Sequence, residues 1–249
     1  MREKLSMDFA WRFHLDDIDR PVPNNMMYYY LHTKAERARG PAAPSFYDGD
    51  WAVVDLPHDY AIAGGVDYTA SDTEGFIRRK NGWYRRLFSL TPADKGKRIV
   101  LQFDGVATYA TVWVNGHLLY RNFCGYTSFQ VDITEFVEYG DMLNHVSVYV
   151  DTRDFEGWWY EGAGIYRHVW LIKTAPVCVE TWGTHVDARC IGGRTWQVRA
   201  EAEIRSIAYQ DHRITVRQEI LDSRGERVAW GETELTAQPR TISAAAIIL

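Results

Sequence analysis

The sequence lacks the features of a membrane or secreted protein. Its 249 residues contain no apolar run of about eighteen residues, the length needed to cross a bilayer. Acidic residues stand within the first eight positions, where a secretory signal peptide needs an apolar stretch. We therefore expect no membrane segment and no signal peptide.

Excess basic charge, paired cysteines and metal-binding motifs are also missing. Lysine and arginine total 28 against 33 acidic residues, with no basic stripe, so we expect no nucleic-acid partner. The three cysteines are an odd number without Cys-x-x-Cys spacing, which favours reduced thiols and a cytoplasmic location. The eight histidines form no His-Glu-x-x-His motif, and we expect neither a metal nor a cofactor.

Aromatic residues and short alternating segments are abundant. Ten tryptophans and fifteen tyrosines suit β-rich structure. Ile99, Leu101 and Phe103 alternate with more polar residues, as on one face of a strand. Asn115-Gly116 separates two apolar runs, and this dipeptide is the strongest short-range signal of a β-hairpin. Many short strands without a long amphipathic helix predict an all-β sandwich.

Two further expectations concern the edges of this sandwich. Alternation of Phe9, Trp11, Phe13 and Leu15 predicts a first strand with these four side chains on one face. Cations cluster around the segment Gly82–Arg86. We interpret them as a solvated strand edge that discourages aggregation.

The most unusual stretch spans residues 158–171. Trp158, Trp159, Tyr160 and Glu161 precede Gly162 and Gly164, and a strand-like run follows. The glycines permit backbone angles and close chain approach that other residues forbid. The aromatic rings could stack on a sugar ring while the carboxylate accepts hydrogen bonds from its hydroxyl groups. Alternatively, the rings close the end of a sandwich core, since large aromatic residues are usually buried.

His58 and Asp59 are neighbours and invite comparison with a catalytic dyad. Adjacent residues in a strand or loop rarely face each other, and no serine or cysteine nucleophile accompanies them. We expect both residues to have a structural role, as hydrogen-bonding partners of a loop.

Several segments resemble, in the same order, the N-terminal sugar-binding domain of glycoside hydrolase family 2. This family contains β-galactosidases, β-glucuronidases and β-mannosidases. The resemblance covers roughly residues 50–175. It is carried by Leu56-Pro57-His58-Asp59, Gly82-Trp83-Tyr84-Arg85, Phe103-Asp104-Gly105-Val106 with the following hairpin, Gly125-Tyr126-Thr127 and the run 158–171.

The resemblance implies two domains. Residues 1–175 would form a jelly-roll, galactose-binding-like sandwich, and residues 176–249 an immunoglobulin-like sandwich. An immunoglobulin-like domain needs about seven strands in roughly 100 residues. We therefore expect this second domain to be incomplete at its C-terminus.

The resemblance also implies a non-catalytic role. In the family two glutamates on a (β/α)₈ barrel perform hydrolysis, and the Asn-Glu dipeptide that carries one of them does not occur in this sequence. We therefore predict no catalytic residue and no activity of the chain alone. The implied partners are a β-linked, galactoside-like substrate and a catalytic barrel in the same or an adjacent chain.

In the family the sugar-binding domain lends a loop to the rim of the substrate pocket. The residues of this sequence at that position are Trp158, Trp159, Tyr160 and Glu161, with Tyr126 as a further candidate. Two alternatives stay open at this point. Instead of the N-terminal part of a glycosidase, the chain would be a free-standing carbohydrate-binding module without catalysis, or a truncated remnant without a function.

Overall fold

The computed structural model describes residues 2–16, 18, 38, 40–153 and 160–249. These residues divide into two compact units. The first contains Arg2–Lys95 and Ile99–Lys173, and the second contains Gly96–Arg98 and Thr174–Leu249. Among the described residues, no helix has both the length and the apolar character to cross a bilayer.

The first unit is built from two antiparallel sheets. The strands are β1 (Glu3–Ser6), β2 (Trp11–Leu15), β3 (Ala52–Val54), β4 (Gly82–Ser89), β5 (Arg98–Phe103), β6 (Tyr109–Val114), β7 (His117–Asn122), β8 (Phe129–Asp132), β9 (Leu143–Asp151) and β10 (Val169–Thr174). One sheet has the strand order β1-β10-β5-β8 and the other β3-β2-β4-β9-β6-β7. One α-helical turn, α1 (Tyr60–Ala63), follows β3; the 3₁₀ turns are Gly40–Ala42, Asp72–Glu74, Pro92–Asp94 and Thr134–Phe136.

Local patterns correctly predicted the central strands. Ile99, Leu101 and Phe103 of β5 are fully buried in the core of the first unit, with Val146 and Val148 of β9. Asn115 and Gly116 both have positive φ angles, 49° and 85°, and join β6 to β7. The hairpin prediction is confirmed, because a two-residue turn with positive φ at both positions matches the right-handed twist of the two strands.

The beginning of the chain differs from the prediction. The predicted first strand begins only at Trp11, because Ala10 takes a positive φ angle of 60° and turns the chain. Phe9 is therefore exposed, whereas Trp11 and Phe13 are buried. A strand that the pattern did not indicate, β1, precedes it and pairs with β10. Its four residues are all exposed, so no apolar alternation marked it.

The interpretation of the cations around Gly82–Arg86 as a solvated edge is wrong for the strand itself, whereas just before it Arg78 is exposed and Lys80 is partly exposed. Strand β4 lies between β2 and β9, and the Arg85 side chain is only 1% exposed. Its Nε donates to Asp48 Oδ2 at 2.7 Å, and its terminal nitrogens donate to the carbonyl oxygens of Ala43 and Phe46. A buried guanidinium is tolerated when its donors are satisfied in this way.

His145 of β9 lies beside Arg85 and is buried. Burial, reinforced by the Arg85 cation, lowers the pKa of His145 from 6.5 to about 4. Between these two values the unfolded chain takes up a proton that the folded chain does not. We expect stability to fall as the pH decreases from 6.5 towards 4, by about 1 kcal/mol per pH unit.

Urea unfolding at several pH values measures this dependence. His145→Gln should flatten the slope in this window, and the matched variant His117→Gln, at a half-buried position, should retain it. An unchanged slope in His145→Gln would assign the pH dependence to other groups.

The second unit is also all-β. Its strands are β11 (Val177–Gly192), β12 (Thr195–Ser206), β13 (His212–Leu221), β14 (Arg227–Ala237) and β15 (Ile242–Ile248), in sheets β11-β12-β15 and β13-β14. The buried core consists of Ala202, Ile204, Val216 and Ala245. Strand β11 was not predicted, because its apolar residues do not alternate regularly.

The prediction of an all-β sandwich protein is confirmed. The jelly-roll and immunoglobulin-like assignments, and the division at residues 175 and 176, stay predictions. The first unit carries the residues of the candidate site.

Candidate functional site

The segment after β3 is hydrogen-bonded along the turn that precedes β10. His58 N donates to Ile165 O at 2.9 Å, and Tyr60 N donates to Ala163 O at 3.0 Å. These two main-chain bonds align residues 58–60 with residues 163–165. The sequence elements Leu-Pro-His-Asp and Gly-Ala-Gly-Ile, far apart in the chain, therefore form one structural unit.

Asp59 is the polar centre of this unit. Its Oδ1 accepts hydrogen bonds from Ala61 N and Ile62 N at 3.1 and 3.2 Å, which caps the N-terminus of α1. Its carboxylate also accepts a hydrogen bond from Ala163 N at 3.4 Å and a short one from the Tyr160 hydroxyl. One side chain thus joins α1 to the turn.

The side chain of His58 contacts a buried tyrosine. Its Nδ1 lies 2.7 Å from the hydroxyl of Tyr84, and the histidine tautomer decides which atom donates. Burial lowers the pKa of His58, although Asp59 opposes the shift, and burial raises the pKa of Tyr84 well above its usual value. The contact with Tyr84, together with the main-chain bond to Ile165, fixes the position of the segment. The predicted structural role of His58 and Asp59 is confirmed.

The glycines of the turn allow this close packing. Gly162 and Gly164 have φ angles of 90° and 119°. Gly164 forms a bridge with Ala107, with hydrogen bonds of 2.9 and 3.0 Å between their main-chain atoms. A Cβ atom on Gly164 would lie 2.6 Å from His58 O and still closer to the Tyr84 hydroxyl. The predicted need for glycine at this turn is confirmed.

Three of the five candidate residues lie in the described part of the chain. Tyr160 is half-buried; burial, strengthened by its hydrogen bond to Asp59, raises the pKa of its hydroxyl. The Glu161 side chain is 8% exposed, and its Oε2 lies 3.6 Å from Arg79 Nη2. Trp158 and Trp159 lie outside the described residues.

Tyr126 lies on the loop between β7 and β8, and its side chain is 64% exposed. The same loop is attached to the turn, since the Tyr166 hydroxyl donates to Gly125 O at 2.7 Å. A Cβ atom on Gly125 would be 3.4 Å from Ala107, the residue that bridges Gly164. Tyr126 therefore belongs to the same end of the first unit as Tyr160 and Glu161.

Sequence reasoning missed the partners that hold these residues. Arg79 and Ala107 are remote from the turn in the chain, and neither stands in a local pattern that predicts its contact with it. Metal binding finds no support in the described ranges, where no three His, Cys, Asp or Glu side chains are grouped closely enough to hold an ion.

Comparison with known proteins identifies relatives of this architecture. The family model for glycosyl hydrolases family 2, sugar binding domain, matches residues 4–175. The β-galactosidase BoGH2A of Bacteroides ovatus is 34% identical over 233 residues, which are 92% of this chain and 25% of that protein. A putative β-glucuronidase of Formosa agariphila is 30% identical over 77% of this chain and 18% of its own length.

Solved structures have the same fold. A family 2 member from Bacteroides cellulosilyticus superposes with a TM-score of 0.79 at 29% identity, over 98% of this chain and 31% of that chain. β-Glucuronidase 2 of Bacteroides uniformis, solved with a covalently bound cyclophellitol-6-carboxylate aziridine, gives a TM-score of 0.83 at 21% identity, over 100% of this chain and 28% of that one. This second likeness concerns the fold alone.

The chain thus spans 25% and 18% of the length of these two curated relatives. The matched range, residues 4–175, is well over half of the chain and contains the turn at Gly162–Gly164 and every described candidate residue. The chain belongs to glycosyl hydrolase family 2, and its matched part is the sugar-binding domain of that family.

Proposed function

We propose that this chain is the N-terminal, non-catalytic part of a β-galactosidase-like glycosidase and shapes the rim of its substrate pocket. The substrate is a β-linked galactoside, and hydrolysis takes place on a barrel in the same or an adjacent polypeptide, in the cytoplasm. The 34% identity with a β-galactosidase supports the choice of galactoside.

The observation that carries the proposal is the anchoring of the turn at residues 162–164. Main-chain hydrogen bonds to Ala107, His58 and Tyr60 fix this turn on the first unit. The segment leading into it, with Tyr160 and Glu161, therefore leaves the sandwich at a defined point. Binding groups held on a rigid scaffold lose little conformational entropy when a ligand arrives.

In this proposal the five candidate residues have two different roles. Trp158, Trp159 and the exposed Tyr126 offer rings that stack on the apolar face of a pyranose. Tyr160 and Glu161 are held by Asp59 and Arg79, and in this proposal they orient the segment that carries the two tryptophans. The rim thus supplies substrate contacts, while proton transfer and nucleophilic attack belong to the barrel.

A domain exchange tests this proposal. The chain replaces the corresponding quarter of the Bacteroides ovatus β-galactosidase, and hydrolysis of para-nitrophenyl β-galactoside is measured. We expect turnover by the hybrid and none by the chain alone. Trp158→Ala in the hybrid should lower kcat/KM by up to about tenfold, since a ring contact is worth roughly 0.5–1.5 kcal/mol. The matched control Trp196→Ala removes an exposed tryptophan of the second unit and should leave kcat/KM unchanged.

Two results would contradict the proposal. Turnover by the isolated chain would show that it contains catalytic groups of its own. If Trp158→Ala, Tyr126→Ala and Glu161→Gln all left the kcat/KM of the hybrid unchanged, the proposed rim function would be contradicted. Saturable binding of galactose to the isolated chain, with a hybrid that does not hydrolyse galactosides, would instead indicate a carbohydrate-binding module.

A further inference from the structure

In the second unit, strand β13 has an edge to which no strand is bonded. Within the described ranges it pairs only with β14, and the two strands form a sheet of their own. A two-stranded sheet is marginally stable in water, and a strand with an open edge presents unpaired main-chain N–H and C=O groups. This edge is therefore a surface on which a further strand can pair.

The edge lacks the features that usually keep edge strands from pairing. Strand β13 contains no proline and no lysine, and its register with β14 is regular up to Ile220. Its inner face, which carries the buried Val216, continues with Ile214, Gln218 and Ile220, so no carboxylate, lysine or arginine points into the sandwich. Strand β11, at the edge of the other sheet of this unit, is instead interrupted by a bulge. Bulges and inward-pointing charges are common protections of an edge, and β13 has neither before Ile220.

Gln218 has a hydrogen-bonding group that one copy of the chain leaves unsatisfied. Its Oε1 is buried and has no hydrogen-bond partner in the part of the chain that the structure describes. Gly231 stands opposite Gln218 on β14 and offers no side chain. A buried polar atom without a partner destabilises a protein, so such atoms are rare. A strand added at the open edge of β13 would place another residue directly beside Gln218.

The sequence of β13 is complementary to itself in one antiparallel register. With a two-fold axis at Gln218, Arg217 lies opposite Glu219 of the second copy, and Val216 lies opposite Ile220 of the second copy. Symmetry makes each of these pairs occur twice. The two Gln218 amides meet at the axis, where each can donate to the Oε1 of the other. Opposite residues lie on the same face, so apolar side chains meet on the inner face and unlike charges on the outer one.

The neighbouring registers are less favourable. An axis at Arg217 or at Glu219 would set like charges directly opposite each other, which is destabilising. An axis at Val216 would set Arg213 opposite Glu219, but it would leave Gln218 opposite an apolar side chain. Among these registers, the one centred on Gln218 both avoids like charges and supplies a partner for the buried amide.

The charges on the outer face are already paired within one copy, and strand pairing does not require these pairs to break. Arg217 Nη2 lies 2.7 Å from Glu219 Oε1, and both side chains are partly exposed. Two such pairs side by side would form four charges of alternating sign. Because exposed ion pairs contribute little to stability, we assign the choice of register to these charges and the affinity to main-chain hydrogen bonds and apolar contacts.

We infer that this chain forms a two-fold symmetric dimer through β13, which pairs with β13 of a second copy. The two small sheets then join into one sheet with the strand order β14-β13-β13-β14. The half-buried Ile220 of each copy lies beside Val216 of the other and extends a core that has only four buried residues in one copy. The contact uses the same surface on both copies, so it closes and does not propagate. This inference concerns the second unit and does not depend on the proposed rim function.

Sedimentation equilibrium of the whole chain tests the inference. We expect a monomer–dimer equilibrium with a Kd on the order of 10 μM, since residues 215–221 of each copy form a small contact. Hydrogen exchange followed by mass spectrometry then locates the contact. The amides of β13 should exchange more slowly at about 100 μM than at about 1 μM protein, whereas those of β11 should exchange equally at both concentrations.

Charge variants test the register. Arg217→Glu sets carboxylates opposite each other and Glu219→Arg sets cations opposite each other, so each should weaken dimerisation at least about tenfold. The double variant with both substitutions restores unlike charges across the axis and should dimerise like the unmodified chain. Arg213→Glu is the matched control, because Arg213 also forms an exposed ion pair on β13 but lies outside residues 215–221. Its dimerisation should be unchanged.

A chain that stays monomeric at about 100 μM would overturn the inference. A dimer that persists in both Arg217→Glu and Glu219→Arg, or one that Arg213→Glu dissociates, would overturn it as well, because the contact or the register would be a different one. If the isolated chain were monomeric and β13 exchanged slowly only in the hybrid enzyme, the edge would belong to a strand of the catalytic polypeptide. The Tm of each variant shows that folded proteins are compared. The hydrolysis assay of the hybrid is a separate measurement, so either proposal can fail alone.

Discussion

Replacing Gly164 with alanine is expected to lower the free energy of unfolding by about 4 kcal/mol. Two costs add at this position. The φ angle of 119° is strained for any residue with a Cβ atom, and that atom would lie 2.6 Å from the main-chain oxygen of His58. The neighbouring groups are the hydrogen-bonded main chain of His58 and the buried Tyr84, so neither can move aside cheaply. Urea unfolding, followed by tryptophan fluorescence, measures the loss.

Gly75→Ala is the matched control for this substitution. Gly75 also has a positive φ angle, 67°, but a Cβ atom there would meet no atom within 4 Å. Only the backbone term remains, and we expect a cost of about 1 kcal/mol. If the free energy of unfolding fell by the same amount in both variants, the close approach of Gly164 to His58 and Tyr84 would not contribute to stability. The turn would then not be anchored as described.

Replacing Arg85 with methionine is expected to lower the free energy of unfolding by about 3 kcal/mol. Methionine fills much of the same volume but leaves Asp48 and the carbonyl oxygens of Ala43 and Phe46 without the donor that now satisfies them. Polar groups that stay buried without a partner cost more than the hydrogen bonds themselves contribute. Asp48 is partly exposed, so water compensates some of the loss.

Two further variants show which property of Arg85 matters. Arg85→Lys keeps the charge but loses the planar fork that reaches several oxygens, and it should recover only part of the stability. Arg78→Met removes an arginine from an exposed ion pair of the same unit and should change stability by no more than about 0.5 kcal/mol. If Arg85→Met cost no more than Arg78→Met, the buried cluster would contribute nothing to the fold.

The features that the sequence predicted correctly depend on neighbouring residues. The β6–β7 hairpin follows from Asn115-Gly116, whose backbone angles are a local property. The buried face of β5 follows from alternation at every second residue. The glycine turn follows from a local signal of the same kind, and the order of several such segments along the chain is enough to indicate the family.

The features that the sequence did not predict depend on residues far apart in the chain. Strand β1 is polar and exposed, and only its pairing with β10 makes it a strand. The sequence predicts that Arg85 lies at the surface. In the structure, carbonyl oxygens of the 41–46 segment accept its hydrogen bonds and permit its burial. The side-chain partners of the turn, Asp59 for Tyr160 and Arg79 for Glu161, likewise have no local signal.

The sequence by itself therefore determined the fold class, the family and the place of the glycine turn, because backbone preference and apolar alternation are encoded within a few residues. Only the tertiary structure decided which charges are buried and which carboxylate holds the turn. Those outcomes depend on the distances between segments that fold against each other, and no single segment contains that information.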